Sequence, residues 1–370
     1  MIGIVVVTAL FVVMFAAPFA GAMVYCAARD GIVLPIEQNR IRDARYFGKA
    51  FAGLIEENLP EAQDGRIALS KKEAYINADL QVPNQERIEA LVICLRRDHE
   101  TPDFVREYQK EIYTAHNLYV YWKRIHMRAA YAGASAFLGA GTIVDRWVDA
   151  NETLFAAKDC SLGMSASAGE RLWIGEGCTF RRLYAPVIAI GAQHGDMNFA
   201  NPVAFAESVR QLCASPEVLD QEKIIHLQSA GKPQQMVKNI RYLDPQCIEE
   251  SGVARVTVVT DQNLIVLEHM IVQGDIRSHR GVRICDHAFI CGNIFAEEDI
   301  MIGIGVIVLG NVFTQRNIVV ERGAIIGQPG QIHSMVARGK ICLEENVILY
   351  GFVSCEGGGF VKKKEQIEAI

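Results

Sequence analysis

The chain has 370 residues, half of them hydrophobic, with a formal net charge of −6 and an aromatic content of 8%. This length allows one or two folded domains, and the mildly acidic balance argues against general nucleic-acid binding, which needs a strongly basic face. The ten cysteines show no CxxC pair and no other metal-ligand spacing, so they favour a reducing compartment and indicate no metal site.

The N-terminal stretch 1–28 contains no charged residue and no histidine. As a helix this stretch would be about 40 Å long, enough to cross a hydrocarbon core of about 30 Å. Basic residues such as Arg29, Arg40 and Arg42 follow it, so the positive-inside rule places the C-terminal bulk in the cytoplasm and the N-terminus outside. We therefore predict a single-pass membrane anchor over residues 1–28. The small residues Ala17–Ala22 leave cleavage of this segment open.

Residues 29–65 are predicted to form a juxtamembrane linker that contains an amphipathic helix over residues 43–59. One stripe of this helix is apolar and comprises Phe47, Phe51, Leu54 and Ile55. The basic residues lie toward the predicted anchor, which suggests contact with anionic lipid. Packing of this helix on the first turns of the β-helix explains the apolar stripe equally well, and the sequence leaves both contacts open.

Residues 66–191 carry a first repeat. Short strands are predicted at Arg66 to Ser70 and at Leu91 to Leu95, leading into a coil. Alternating apolar pairs then recur with an 18-residue period, beginning at Ala130, Val148, Ala166 and Tyr184. Cys160 and Cys178 are separated by the same period, and we predict that they point inward as small apolar residues.

Residues 192–247 lose this rhythm. Polar and turn residues dominate the segment, and prolines punctuate it at Pro202, Pro216, Pro233 and Pro245. We interpret the segment as an irregular insert between two repeat blocks.

Residues 248–353 form the most regular block, in which the rows that begin at Leu264, Val282 and Ile300 each span one full period. The row that begins at Ile318 is about five residues longer. A fixed short period of alternating apolar pairs predicts a parallel β-helix, in which each row is one turn and equivalent positions stack at about 4.8 Å. The predicted fold is therefore mainly β, and Ile276, Ile294 and Val312 are expected to form a buried ladder.

One column in this block contains two histidines, two glycines and an asparagine, namely His269, His287, Gly305, Gly323 and Asn346. These residue types tolerate positive φ, so the column predicts a tight corner between strands. Two histidines one turn apart also suggest a metal, but no carboxylate or thiol accompanies them in the other rows. We therefore predict no metal and no cofactor. After the block, Gly357–Gly359 and Lys362–Lys364 predict a flexible polar tail over residues 354–370.

No P-loop, GxSxG or HExxH motif occurs. The segments Ile174-Gly175-Glu176-Gly177 and Ile302-Gly303 resemble the repeat of the hexapeptide acyltransferases, which also use a β-helix and need a catalytic histidine in a cleft between coils. The candidate histidines are His194, His279 and His333, none of which has a recognisable carboxylate partner in the sequence. A membrane-anchored β-helical acyl- or sugar-modifying transferase is therefore the alternative function.

The turns Gly274-Asp275-Ile276, Gly292-Asn293-Ile294 and Gly310-Asn311-Val312, with their inward aliphatic residues and 18-residue period, resemble the bactofilins, the polymer-forming cytoskeletal proteins of bacteria. Residues 248–353 carry the likeness best, and residues 111–191 carry it in a diluted form. The resemblance implies a right-handed β-helix of triangular section that assembles end to end without a nucleotide, often at a membrane. The predicted anchor, the two blocks and the insert set this chain apart from simple members of that family.

The last turn of a β-helix has backbone N–H and C=O groups without partners, so its edge either pairs with another copy or is covered. We predict a self-association site at the end of the second block, comprising Ile341, Leu343, Val347, Leu349, Phe352 and Val353. The expected function is a membrane-anchored, bactofilin-like scaffold that forms filaments or oligomers and organises cell-envelope proteins at the cytoplasmic face of the cell inner membrane. A module that presents a flat β face to cell-wall or polysaccharide enzymes is a third candidate, and no catalytic residue is predicted.

Overall fold

The computed structural model describes residues 43–69, 71–191, 253–254 and 257–363. The predicted anchor over residues 1–28 and the insert over residues 192–247 lie outside these ranges. Among the residues that the structure describes, no helix is long and apolar enough to cross a membrane.

A single α-helix, α1 (Tyr46–Asn58), precedes the strands in the described ranges and continues into a 3₁₀ turn over Leu59–Glu61. The predicted amphipathic helix is thereby confirmed. Gly48, Ala52 and Ile55 are buried, and the helix packs against the first repeat block. The sequence left open whether this helix contacts lipid or the first turns of the β-helix, and packing on the β-helix is observed.

A buried ion pair holds the start of α1 on the first block. The Arg45 Nε and Nη2 atoms donate hydrogen bonds of 2.9 and 3.0 Å to the two carboxylate oxygens of Asp149. Nη2 also donates to the Ala150 carbonyl at 2.9 Å. Arg45 is 7% exposed and Asp149 is 1% exposed, so both charges are withdrawn from water.

The first block contains short strands that wind from residue 66 to residue 190. They are β1 (Arg66–Ala68), β2 (Lys72–Asn77), β3 (Arg87–Ile88), β4 (Leu91–Cys94), β5 (His99–Glu100), β6 (Glu107–Thr114), β7 (Leu118–Val120), β8 (His126–Ala132), β9 (Ala136–Leu138), β10 (Ile143–Ala150), β11 (Thr153–Ala156), β12 (Ser165–Ala168), β13 (Arg171–Ile174) and β14 (Thr179–Ile190). The predicted strands near Arg66 and Leu91 are confirmed as β1 and β4.

The second block resumes at residue 253. Its strands are β15 (Val253–Ala254), β16 (Val258–Thr260), β17 (Leu264–Val266), β18 (Ile271–Val272), β19 (Ile276–Ser278), β20 (Val282–Ile284), β21 (Phe289–Ile290), β22 (Ile294–Ala296), β23 (Ile300–Ile302), β24 (Ile307–Val308), β25 (Val312–Thr314), β26 (Ile318–Val320), β27 (Ile325–Ile326), β28 (His333–Ala337), β29 (Ile341–Leu343) and β30 (Val347–Val361).

Successive turns pair in parallel and follow the predicted columns. Ile276 pairs with Ile294, and Ile294 pairs with Val312, so the aliphatic ladder is confirmed with each side chain at most 1% exposed. The longer row is confirmed as well, because Ile318 pairs with Ile341, 23 positions later. Together the two blocks form a parallel β-solenoid of about 12 turns with 18-residue spacing.

The predicted corner column is confirmed by the backbone. φ is +58° at His269, +55° at His287, +63° at Gly305, +71° at Gly323 and +60° at Asn346. The rings of His269 and His287 stack with their centroids 5.3 Å apart. The histidines in this column therefore have a structural explanation as corner residues.

Alanine substitutions at two corner glycines separate backbone strain from steric clash. Gly323→Ala is expected to lower the free energy of unfolding by about 1–2 kcal/mol, because a Cβ strains a left-handed backbone even where the nearest atom is 3.9 Å away. Gly305→Ala is expected to cost more, since its Cβ lies 2.6 Å from His287 Nδ1. Gly53→Ala on α1, with open space around the new Cβ, is the control and is expected to stabilise by about 0.5–1 kcal/mol. Urea denaturation midpoints measure all three, and equal losses at positions 305 and 323 would contradict the role of the clash.

The prediction of a flexible tail is wrong for residues 354–361, because β30 continues to Val361, and the rest of the predicted tail from residue 364 lies outside the described residues. Glycine at position 359 lets the Phe180 ring lie directly against the backbone, where a Cβ would overlap it. After the strand, Lys362 Nζ pairs with Glu344 Oε1 at 2.9 Å and Lys363 Nζ with Asp159 Oδ1 at 2.7 Å. The glycines therefore permit close packing, and the first two lysines of the run are in ion pairs.

The two blocks meet at their C-terminal ends. β14, the last strand of the first block, pairs antiparallel with β30, the last strand of the second block. One hydrophobic core includes residues of both blocks on either side of this junction. The blocks therefore form a single rod, and the first turn of each block lies at an outer end of it.

Candidate functional site

The six residues predicted to form a self-association end lie in β29 and β30, and both strands are paired within the chain. Val347, Leu349 and Val353 face Ile190, Ile188 and Leu183 of β14. Ile341 and Leu343 of β29 have parallel partners on both sides, in β26 and β30, and Phe352 faces Tyr184. These six residues therefore do not form an unpaired edge, which corrects the expectation that this end is open.

The junction has the burial of a protein interior. Leu183 and Ile188 of β14 are fully buried, and Leu349 and Val353 of β30 are at most 2% exposed. The pairing register shifts between Ala185 and Ile188, which is where Pro186 lies. A proline lacks the N–H that a ladder needs, so a bulge at this position accommodates it. The first block thus covers the end of the second block with a tightly packed strand.

At the opposite end of the second block, one side of the first turn has no partner strand among the described residues. β16 and β17 pair in parallel with β19 and β20, and no other described strand pairs with them. The Val258 N–H donates to the Asp275 carbonyl at 2.8 Å, and the Leu264 N–H donates to the Gly281 carbonyl at 3.0 Å. Because N–H groups alternate along a strand, those of Val259 and Ile265 point away from these partners. We call β16 and β17 the open edge.

The open edge exposes an apolar side chain on its outer surface and contains no basic residue or proline. Its inward side chains, Val258, Leu264 and Val266, are buried, with at most 7% exposed. On the outer surface, Ile265 is 59% exposed. Natural edge strands are commonly blunted by lysine or proline, and residues 257–267 contain no lysine, arginine or proline.

At the outer end of the first block, β3 and β5 also have a described partner on one side only, but each is two residues long and carries an exposed charge, Arg87 or Glu100. β1 folds back on β2 as an antiparallel hairpin, with Arg66 opposite Ala74. Arg66 and Lys72 are exposed on this hairpin. A short, charged hairpin is one of the devices that discourage pairing with another chain. Of the two outer ends, the open edge of the second block is thus the better site for strand pairing.

The structure describes two of the three histidines that were candidates for the transferase alternative, His279 and His333. His279 Nδ1 lies 2.8 Å from Glu297 Oε1, an exposed carboxylate from the next turn that sequence reasoning missed. Burial lowers the pKa of His333, and neither ring nitrogen has a hydrogen-bond partner among the described residues. His194 lies outside the described residues. Neither His279 nor His333 lines the open groove of about 500 Å³ beside the junction.

A second histidine–carboxylate pair lies in an open surface groove of about 550 Å³ on the first block. His126 Nε2 is 2.7 Å from Asp145 Oδ1, and both side chains are about half exposed. Beside it, Arg128 Nε pairs with Glu111 Oε1 at 3.0 Å. Each pair joins neighbouring turns, so these charges form a ladder that stabilises the coil laterally. Sequence reasoning missed the ladder because its members are 17 to 19 positions apart.

The described cysteines are not arranged for catalysis or metal binding. Burial raises the pKa of Cys94 and of Cys355 to about 11, so neither is a thiolate at neutral pH. Cys160 and Cys178 are at most 1% exposed, which confirms their predicted inward position. In the described ranges, no group of three or more His, Cys, Asp or Glu side chains is placed to hold a metal ion.

The comparisons with known proteins give no family for this chain. No protein-family model matches it, and neither a curated protein nor a solved structure matches it. The function is therefore inferred from the geometry of this chain itself.

Proposed function

We propose that this protein is a membrane-anchored scaffold of the kind that the resemblance to bactofilins implies. It associates with further copies of itself and organises partners, cell-envelope proteins among them, at the cytoplasmic face of a bacterial inner membrane. The observation that carries the proposal is the open edge, a strand pair at an outer end of the rod that has no described partner on one side and that exposes Ile265. Unpaired backbone groups at such an edge recruit another strand by hydrogen bonding.

The position of the open edge sets the form of the assembly. The inner end of the second block is covered by β14, and the outer end of the first block carries the charged hairpin. A single self-associating edge per chain favours a symmetric dimer, in which the open edges of two copies pair across a two-fold axis. We expect a rod of double length as the basic unit, and filaments require a second contact elsewhere.

Proline substitutions on the open edge test the proposal. Val259→Pro combined with Ile265→Pro removes two N–H groups that point away from the molecule and leaves the bonds of Val258 and Leu264 intact. Each intermolecular hydrogen bond contributes about 0.5–1.5 kcal/mol, so losing them in both copies is expected to raise the dimer Kd by at least about tenfold. Sedimentation velocity of the full chain in detergent measures this change.

The matched control replaces the same two residues with alanine, which shortens the side chains and keeps both N–H groups. This variant is expected to retain most of the association, and both variants are expected to unfold within a few degrees of the wild type. Self-association through the open edge would be contradicted by a proline variant that assembles like the alanine variant, or by a wild-type protein that stays monomeric at all concentrations.

A further inference from the structure

Three large apolar side chains lie on the outward face of α1 although the helix is already packed on the first block, and the exposed Glu57 lies on the same face beyond them. Its inward face buries Gly48, Ala52 and Ile55. Tyr46 is 61% exposed, Phe47 52% and Leu54 48%. These three side chains lie within about 100° of one another around the helix axis, so they form one surface strip over two turns. We call Tyr46, Phe47 and Leu54 the outer strip.

Side-chain bonds at both ends of α1 hold this orientation. Arg45, at the N-cap position of the helix, is fixed to Asp149 by two hydrogen bonds. Near the other end, the Tyr113 hydroxyl donates to Glu56 Oε1 at 3.1 Å. A helix held at both ends cannot rotate to bury the outer strip against the coil. The strip is therefore presented outward as a fixed feature of the fold.

The position of the strip in the chain indicates what it contacts. Only the short segment 29–45 separates Tyr46 from the uncharged stretch 1–28, so a chain anchored by that stretch keeps α1 close to the bilayer. Tyrosine and phenylalanine are residues that favour the boundary between headgroups and acyl chains. Since Asp149 neutralises Arg45, the strip offers apolar contact and little net positive charge.

We propose that the outer strip of α1 inserts into the membrane surface, so that the helix lies between the lipid and the first block and contacts both. This proposal rests on the membrane anchoring in the proposed function and adds a second, interfacial contact to it. Because α1 packs on β8 and β10, the contact holds the side of the first block toward the bilayer. The association is apolar, so it takes place on neutral phosphatidylcholine as well as on anionic lipid.

Photo-crosslinking of the full chain in vesicles tests this contact. The photoreactive residue p-benzoylphenylalanine replaces Phe47 in one variant and Leu54 in another. In the control it replaces Ile332, which is 63% exposed and lies outside α1 on the second block. Each variant is reconstituted into phosphatidylcholine vesicles and illuminated, and mass spectrometry locates the phospholipid adducts. We expect adducts at positions 47 and 54, none above background at 332, and the same pattern at low and high salt.

Several results would overturn the contact. They are an absence of lipid adducts at 47 and 54, cross-links from these positions to a second copy or another protein, and adducts that form only with anionic lipid. Carbonate extraction of the same vesicles reports on the anchor, and sedimentation reports on self-association. A protein that stays embedded and assembles without lipid adducts refutes the interfacial contact alone, whereas loss of embedding or assembly refutes the proposed function.

Discussion

Replacing Arg45 with methionine is expected to lower the free energy that holds α1 on the first block by about 3–5 kcal/mol. The substitution leaves Asp149, which is 1% exposed, buried without its ion-pair partner. Burial raises the pKa of Asp149, and the hydrogen bonds from Arg45 and Ser167 oppose that rise. Without Arg45 the carboxylate is either uncompensated or protonated, and both states cost stability. Hydrogen exchange of the α1 amides measures the loss directly.

Lys49→Met is the matched control, because it removes an exposed cation of the same helix that acts on the pKa of Asp149 through its charge, and so separates that charge effect from the hydrogen bonds of Arg45. Exposed ion pairs contribute at most about 1 kcal/mol, so this variant is expected to change hydrogen exchange of α1 only slightly. The double variant Arg45→Met/Asp149→Leu replaces the pair with apolar side chains and is expected to recover most of the loss. If the arginine and lysine variants lost equal protection, the ion pair would not be what holds the helix.

The second large effect is expected from acid. His99 is 3% exposed inside the first block, and burial lowers its pKa to about 4, with a further lowering by the charge of Arg97. The unfolded chain binds a proton near pH 6.5 and the folded chain only near pH 4, so the contribution of neutral His99 is fully present above pH 6.5 and is lost as pH falls. The loss is expected to reach about 3 kcal/mol at pH 4.

His99→Leu isolates this contribution from the carboxylates that titrate in the same window. Leucine continues the apolar column, since position 99 pairs with Leu118. Denaturation midpoints of the wild type and the variant are compared between pH 7.5 and 4. Relative to the wild type, the free energy of unfolding of the variant is expected to be about 3 kcal/mol more favourable at pH 4 than at pH 7.5. Parallel curves would show that His99 does not titrate on unfolding.

Positions within the β-helix could be predicted from the sequence where equivalent residues repeat in successive turns. The corner histidines His269 and His287 were predicted because glycine and asparagine occupy the equivalent position in other turns. The inward positions of Cys160 and Cys178 followed from the same column logic. Column membership depends on local alternation and on the 18-residue period, and both are visible in a single sequence.

Sequence reasoning failed where a residue acts through a distant partner. The triple glycine at 357–359 predicts part of a flexible polar tail, but these residues lie in a strand, and Gly359 packs closely on Phe180. Nothing near Arg45 indicated that its partner is Asp149, 104 positions away. Phe47 and Leu54 were placed on one stripe with Ile55, yet the helix buries Ile55 and exposes the other two.

The sequence by itself determined that two stretches of this chain form the turns of a parallel β-helix. It also determined which residues point inward and where the corners lie. These features depend on contacts between neighbouring turns, and each contact repeats often enough to be read as a pattern. Only the tertiary structure decided which ends of the coils meet. A strand edge carries the same backbone donors and acceptors whatever its sequence, so alternation shows that an edge exists but cannot show what pairs with it. The pairing of β14 with β30 joins residues some 170 positions apart, and it leaves the first turn of the second block as the open edge.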